Sequence, residues 1–314
     1  MPAVSVIVPA RDAAGTIGAL LEALAGQLPV PGDVEVIVAD DGSVDGTGDL
    51  ARAHAVVAQV VRTGGVGPGA ARNAAIAVAS GDVLAFTDAD CVPAPDWLQR
   101  ALAALGDGAD LVQGTVVPAG PAGPFDRTVR VGQLTGLYET ANLVVRAPWV
   151  ARVGGFQPWL SPRRSKELGE DVWLGWRIAR AGGRVAFAAD ARVAHAVFPG
   201  TAGSFVAEHA RLRYFPVMAA RIPELRGTLC FRRAFLSRRT AAFDLGLLGL
   251  VSAVLLRRPV LVLAAGPYAR IVWRGARPWG LRRLPVVAAA RVGADVVGAA
   301  ALVAGSVRAR RPLL

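Results

Sequence analysis

A chain of 314 residues suits one large α/β domain with an extension, or two domains. Hydrophobic residues at 53% against 19% charged exclude a disordered or collagen-like chain. Two cysteines, Cys91 and Cys230, exclude a disulfide scaffold, and the three histidines lack HExxH spacing. With aromatics at 6%, a stacking platform for single strands is not expected, and no nucleic-acid partner either.

The net charge of +11 divides unevenly. Residues 1–200 hold 16 cations and 20 acids, and residues 201–314 hold 19 and 4. Lys166 is the single lysine. The basic end is also very apolar, which points to an anionic membrane surface. No basic stretch precedes an apolar run at the start, so no signal peptide is expected and the first 200 residues are expected in the cytoplasm.

Strand and helix signals alternate over the first 120 residues. An apolar run at 4–8, closed by Pro9, reads as a strand. A helix follows over 16–28, with Thr16 as its N-cap. Further strands are expected at 34–39, 56–61, 83–86 and 111–116, with helices over 45–55, 68–79 and 95–105. Such alternation implies a mostly parallel, doubly wound sheet, whose ligand sits beyond the C-terminal ends of the strands. Pro9-Ala10-Arg11-Asp12, Asp40-Asp41 and Asp88-Ala89-Asp90 all fall at such ends. Beyond residue 120 come a Gly/Pro connector, a polar loop over 161–169, a helix over 170–181, and short strands at 184–187 and 192–195. Apolar stretches follow at 241–256, 260–269 and 284–307. Arg291 and Asp295 inside the third are spaced to pair on one helix face. These stretches fit spanning, re-entrant or interfacial helices, or a soluble subdomain with an apolar core.

Asp88 and Asp90 project from one side, so both could hold a divalent cation, or one the cation and the other a sugar hydroxyl. Asp40 and Asp41 could accept from a base N–H or from ribose hydroxyls, though turn chemistry also explains them. The glycine-rich run Gly64-Gly65-Val66-Gly67-Pro68-Gly69-Ala70-Ala71-Arg72-Asn73 could approach a phosphate, but it is no Walker loop. Glu170-Asp171 opens a helix, where the dipole favours an ionised carboxylate that can act as a general base.

Taken in order, Val4 to Arg11, Val38-Ala39-Asp40-Asp41-Gly42-Ser43, Gly69-Ala70-Ala71-Arg72-Asn73, Thr87-Asp88-Ala89-Asp90, Gly154-Gly155-Phe156 and Gly169-Glu170-Asp171 resemble family 2 glycosyltransferases of the GT-A fold. The resemblance covers residues 1 to about 200. It implies a GT-A glycosyltransferase domain over 1–225, with a nucleotide-sugar half at 1–117 and an acceptor and catalytic-base half at 118–225, then a helical membrane-associated extension over 226–314. It implies inverting transfer from a nucleotide-diphosphate sugar to a hydroxyl acceptor, with a lipid carrier or cell-envelope glycan expected at the cytoplasmic face of the membrane. Pro9, Ala10, Arg11, Asp40, Asp41, Arg72 and Asp88 match donor-binding positions. Asp90, with Asp88 and His195, matches a site for Mn2+ or Mg2+. Asp171 matches the catalytic base with Glu170 beside it, and Asn142 and Gly155 fall in the acceptor and sugar region. Arg11-Asp12 stands where the family more often has Asn then Glu, and the Gln-x-x-Arg-Trp signature of processive synthases is absent. That favours single addition. A binding protein on the same fold that has lost catalysis is the competing reading.

Overall fold

Alternate residues of the first strand set the architecture. In β1 (Val4–Ala10), Val4, Val6 and Val8 face one way, Ile7 faces the other, and all four are fully buried. A strand buried on both faces needs cover on both. The computed structural model describes residues 4–159 and 168–314, so most of the polar loop expected at 161–169, Lys166 included, lies outside the described residues. After β1 come α1 (Ile17–Ala25), β2 (Val34–Asp40), α2 (Thr47–Ala53), β3 (Val57–Arg62), α3 (Pro68–Ile76), β4 (Val83–Phe86), β5 (Cys91–Pro93), α4 (Trp97–Gly106), β6 (Leu111–Pro118), β7 (Leu143–Arg146), α5 (Ala147–Val153), α6 (Glu170–Arg180) and β8 (Val185–His195).

Among the described residues the strands form one sheet, in the order β3-β2-β1-β4-β7-β6-β8-β5. β1 pairs in parallel with β2 and β4, β2 with β3, and β6 with β8. β7 runs antiparallel between β4 and β6, and β5 antiparallel to β8. On one face α1 and α4 bury Leu20, Leu21, Trp97 and Leu98 against the β1 valines. On the other, α3, α5 and α6 bring Ala71, Val150, Leu174 and Ile178 against Ile7, Ile37 and Phe86. Each large apolar side chain so buried contributes about 1.5–3 kcal/mol.

Local differences from the sequence expectations have identifiable causes. β1 continues through Pro9, because β4 ends opposite Ile7 and no ladder partner needs the missing N–H on that side. Thr16 precedes α1 but caps nothing; its hydroxyl donates to the Ala13 carbonyl at 3.3 Å. The two short strands expected near 184–195 are the single strand β8, whose register against β6 jumps between Gly114 and Thr115. Asn142 holds that jump. It is fully buried, its Nδ2 donates to the carbonyls of Thr115 and Ala191 at 2.9 and 2.8 Å, and its Oδ1 accepts from Trp97 Nε1 at 2.8 Å.

Residues 122–127 and 198–314 form a second compact unit. It holds α7 (Ala202–Glu208), α8 (Phe215–Arg221), α9 (Leu225–Thr228), α10 (Arg238–Leu255), α11 (Gly266–Ala276) and α12 (Leu284–Ala309), with 3-10 segments at His209–Tyr214 and Pro259–Ala265. Residues 198–225 fall with this unit, ahead of the boundary expected at 225, because α7, the His209–Tyr214 segment and α8 pack along α12. Asp295 does not pair with Arg291 along its own helix. It takes Arg239 at 2.8 Å and the Tyr268 hydroxyl at 2.6 Å.

Replacing Asn142 with Ala strands the Trp97 N–H and two strand carbonyls in the core. The expected cost is about 3 kcal/mol in urea unfolding of the full chain. A loss below about 1 kcal/mol would show that the bracket carries little.

Candidate active site

The acidic edge is assembled where β1, β2 and β4 end. Their loops are first stapled to each other. The backbone N–H groups of Asp12, Ala13 and Ala14 donate to Ser43 Oγ, Thr47 Oγ1 and Asp45 Oδ2 at 2.8–3.0 Å, and Val44 N–H donates to Asp12 Oδ1 at 3.0 Å. Pro9 and Ala10 stay paired with β2, and the chain after them leaves the sheet on a fixed path, with Arg11 exposed.

Asp40 and Asp41 have different jobs. Asp40 is 2% exposed. Its Oδ1 accepts from Ser43 N–H at 3.0 Å, and its other oxygen lies against Gly48 in the first turn of α2. Expected at the nucleotide, its carboxylate is turned into the protein. Asp41 accepts from Thr63 Oγ1 and Val66 N–H at 2.7 Å and from Gly67 N–H at 2.9 Å. It thereby shapes the glycine-rich loop, whose Gly65 and Gly67 take φ of +75° and +98°. Burial pushes the Asp41 carboxyl up, but these donors and Arg11, at 3.9 Å, outweigh it and hold the group below the ordinary carboxylate range.

Arg72, expected at the donor, is 3% exposed and sits beneath the site. One terminal nitrogen donates to Asp88 Oδ1 at 2.7 Å and the other to Glu170 Oε1 at 3.4 Å. Burial opposes its charge, but Asp88, Glu170 and Asp171 more than offset that and keep it cationic. Phe156 lies 5.5 Å from its guanidinium carbon. Arg72 therefore acts on the site by positioning carboxylates.

Asp88 faces Arg72, and Asp90 faces elsewhere. Asp90 Oδ1 lies 3.5 Å from His195 Nε2. β5 pairs Cys91 directly opposite His195, which brings this corner together. His195 is 7% exposed, and its Nδ1 is 2.8 Å from the Ala196 carbonyl. A proton on Nδ1 satisfies that carbonyl and leaves Nε2 as the lone-pair side of the neutral ring, towards Asp90. The ligand atoms of Asp90, Cys91 and His195 lie within 4.8 Å of one another. Burial pushes the Cys91 thiol far up, so it is a neutral neighbour. A carboxylate oxygen beside an imidazole nitrogen fits a divalent transition-metal cation such as Mn2+ better than Mg2+, which takes oxygen ligands.

Asp171 opens α6 next to Glu170, after Gly169 in a left-handed turn at φ +77°. Its Oδ1 accepts from Val172 N–H at 2.7 Å. Burial and the negative charge of Glu170 push its carboxyl well above the usual range, with Glu139 adding to the effect. Glu139 is itself pushed up by burial. Sequence reasoning missed Glu139, because nothing local marks a lone glutamate in an irregular segment.

Two residues expected near the acceptor do other work. Asn142 is the buried bracket described above, with both ends of its amide engaged. Gly155, at φ +65°, allows close approach of Asn73: a Cβ there would come within 2.6 Å of Asn73 Oδ1. Asn73 pairs with the Phe156 backbone in both directions, donating at 2.7 Å and accepting at 2.8 Å. Arg177 donates to the carbonyls of Val153 and Gly155.

A doubly wound mixed sheet with carboxylates gathered at the C-terminal strand ends is the frame of a ligand-binding α/β domain, and the known proteins similar to this chain say which. The profile described as glycosyl transferase family 2 matches residues 5–157. The glycosyltransferase AglE of Haloferax volcanii is 34% identical over 214 residues, which is 63% of this chain and 68% of that protein. A pre-mycofactocin glycosyltransferase of Mycobacterium tuberculosis is 29% identical over 61% of this chain, and the chain spans 42% of that relative. Among solved structures, the mannosyltransferase PcManGT from Pyrobaculum calidifontis, in complex with GDP-Man and Mn2+, superposes with a TM-score of 0.58 at 21% identity, covering 98% of this chain and 87% of that one. S. aureus TarS 1–349 with UDP-GlcNAc gives 0.53 at 18% identity, covering 98% and 92%. This chain belongs to glycosyltransferase family 2.

Replacing Arg72 with Met leaves Asp88 and Glu170 without their shared cation. The expected loss is about 3–5 kcal/mol of stability, read by chemical denaturation. A loss under about 1 kcal/mol would show that the two carboxylates do not depend on Arg72.

Proposed function

We propose that this glycosyltransferase moves a sugar from a nucleotide-diphosphate sugar to a hydroxyl acceptor with inversion at the anomeric carbon. The observation that carries the reading is a carboxylate set divided by environment. Asp171 is held well above the usual range, while Asp88 lies against a buried cation. A raised carboxyl is a better proton acceptor at neutral pH than an ordinary one. Asp171 takes the proton from the acceptor hydroxyl as it attacks from the face opposite the diphosphate. Glu170, tied to Arg72, fixes the first turn of α6 and so the aim of Asp171.

Asp90 and His195 would hold the divalent cation, with Asp88 beside them at the donor. Bound there, the cation supplies positive charge opposite the leaving diphosphate. Arg11 and the Asp41-shaped glycine loop would line the nucleotide. The structural relatives PcManGT, in complex with GDP-Man and Mn2+, and TarS 1–349, with UDP-GlcNAc, support such a donor. The arginine-rich apolar second unit supports a membrane surface, and with it a lipid carrier or cell-envelope glycan as acceptor at the cytoplasmic face.

The first test is release of nucleoside diphosphate from a panel of nucleotide sugars, with Mn2+, with Mg2+ and with chelator. Metal-dependent release from one donor is expected, and no binding to any donor would overturn the reading. Asp171→Asn is expected to lower transfer by about 10²–10⁴-fold while donor binding persists. A carboxyl whose pKa is raised on folding costs stability as pH climbs from the ordinary carboxylate value to the raised one, and the full cost is present above it. The same variant should therefore also raise Tm at neutral pH. Wild-type kcat/KM should fall as pH drops through the raised Asp171 pKa, above the ordinary carboxylate range. Glu170→Gln removes the nearest negative charge and should move that acid limb to lower pH; an unmoved limb would assign it to another group.

A further inference from the structure

α12 is the one described helix long and apolar enough to cross a membrane. A spanning helix must turn its sides to lipid or to other spanning segments. Gly293, Gly298 and Gly305 of α12 instead meet Val206, Leu212 and the backbone of Arg213. The 202–216 segment thus lies along α12, and it carries Glu208, His209, Arg211 and Arg213. Glu208 and Arg211 form a half-exposed pair at 3.9 Å, which belongs in water. Midway along α12, Asp295 is held by Arg239 and Tyr268. α12 is thus covered on one side by a segment with charged flanks, while Val286, Val292, Val296, Val303 and Val307 leave another side open.

The most exposed apolar cluster lies on a different element. Leu248, Val254, Leu255, Leu256, Val260 and Leu263 are each at least 64% exposed. α10 and the Pro259–Ala265 segment fold back on each other where Gly246 and Gly249 meet Ala265 and Ala264. The exposed residues crowd this hairpin, and Arg257 and Arg258 occupy its turn. The hairpin cannot span a bilayer. Its return leg has 11 residues, 259–269, before Arg270, against the roughly 20 a crossing requires. Beside it, Arg270 and Arg274 of α11 and Arg277 just beyond its end lie around the exposed Trp273, lining an open cleft of about 590 Å³ with Pro278. None of the ion pairs among the described residues takes up these three arginines or the two in the turn.

We infer that the second unit inserts in the plane of an anionic lipid surface. The apolar residues of 254–263 enter the acyl boundary, the arginines of the turn and of α11 together with Arg277 reach up to lipid phosphates, and α12, flanked by the charged 202–216 segment, does not cross. Apolar area beside cations is the surface that binds anionic bilayers edge-on, since each group meets the layer that suits it. The inference rests on the membrane association proposed above and specifies its mode.

The test sediments the full chain with vesicles of phosphatidylcholine alone and of phosphatidylcholine with phosphatidylglycerol. Binding to the anionic vesicles, at least about tenfold weaker binding to the neutral ones, and release by alkaline carbonate are expected. Leu255→Glu/Leu256→Glu/Leu263→Glu and, separately, Arg270→Gln/Arg274→Gln/Arg277→Gln should each lower the partition coefficient by about a hundredfold at low salt. These positions are exposed, so donor hydrolysis should persist and report that the variants fold. Retention after carbonate, or binding indifferent to both lipid charge and the substitutions, would overturn the in-plane mode alone. Absence of binding to either vesicle would overturn the membrane association with it, while donor hydrolysis independently decides the transferase reading.

Discussion

Arg72 is 3% exposed, and its two terminal nitrogens reach carboxylates from distant parts of the chain, Asp88 after β4 and Glu170 at the start of α6. Glu139, Asp171 and Asp90 gather at the same edge, and carboxylates brought together in a partly buried place repel one another. A buried guanidinium among them makes the arrangement tolerable. It also decides which acid can do what. Asp88 and Glu170 bond the cation directly, whereas at Asp171 burial and the negative charge of Glu170 outweigh its pull and push the carboxyl up. The same charge that holds the site together therefore sets apart the group suited to accept a proton.

A second division of labour runs through the loops. Asp12, Asp40, Asp41 and Asp45 all sit where a ligand might be expected, and each accepts hydrogen bonds from neighbouring backbone N–H groups or hydroxyls. Loop backbone without a ladder partner must find acceptors, and short carboxylates at strand ends supply them. The glycine loop keeps its left-handed turns because Asp41 holds Val66 and Gly67 from below. The second unit follows a similar economy. Asp295 is paired with Arg239, and the arginines in the turn and on α11 face outward.

Much of this protein was legible in its sequence. Apolar runs of strand length alternating with helical spacing fixed a doubly wound sheet, because burial on two faces leaves that imprint on every strand. The placement of Asp40-Asp41 and Asp88-Ala89-Asp90 after strands was enough to put acids on the ligand edge, since strand direction in a parallel sheet is shared. What only the tertiary structure decided is where side chains point and what they meet. Arg72 and Glu170 are 98 residues apart. Asn142 reads as a polar residue near the acceptor until Trp97, Thr115 and Ala191 are seen to close around it. The apolar stretch at 284–307 does not show in sequence that α7 and α8 pack along it. Periodicity is a local property of the chain, but pairing partners and covered faces are set by long-range packing, which one sequence does not record.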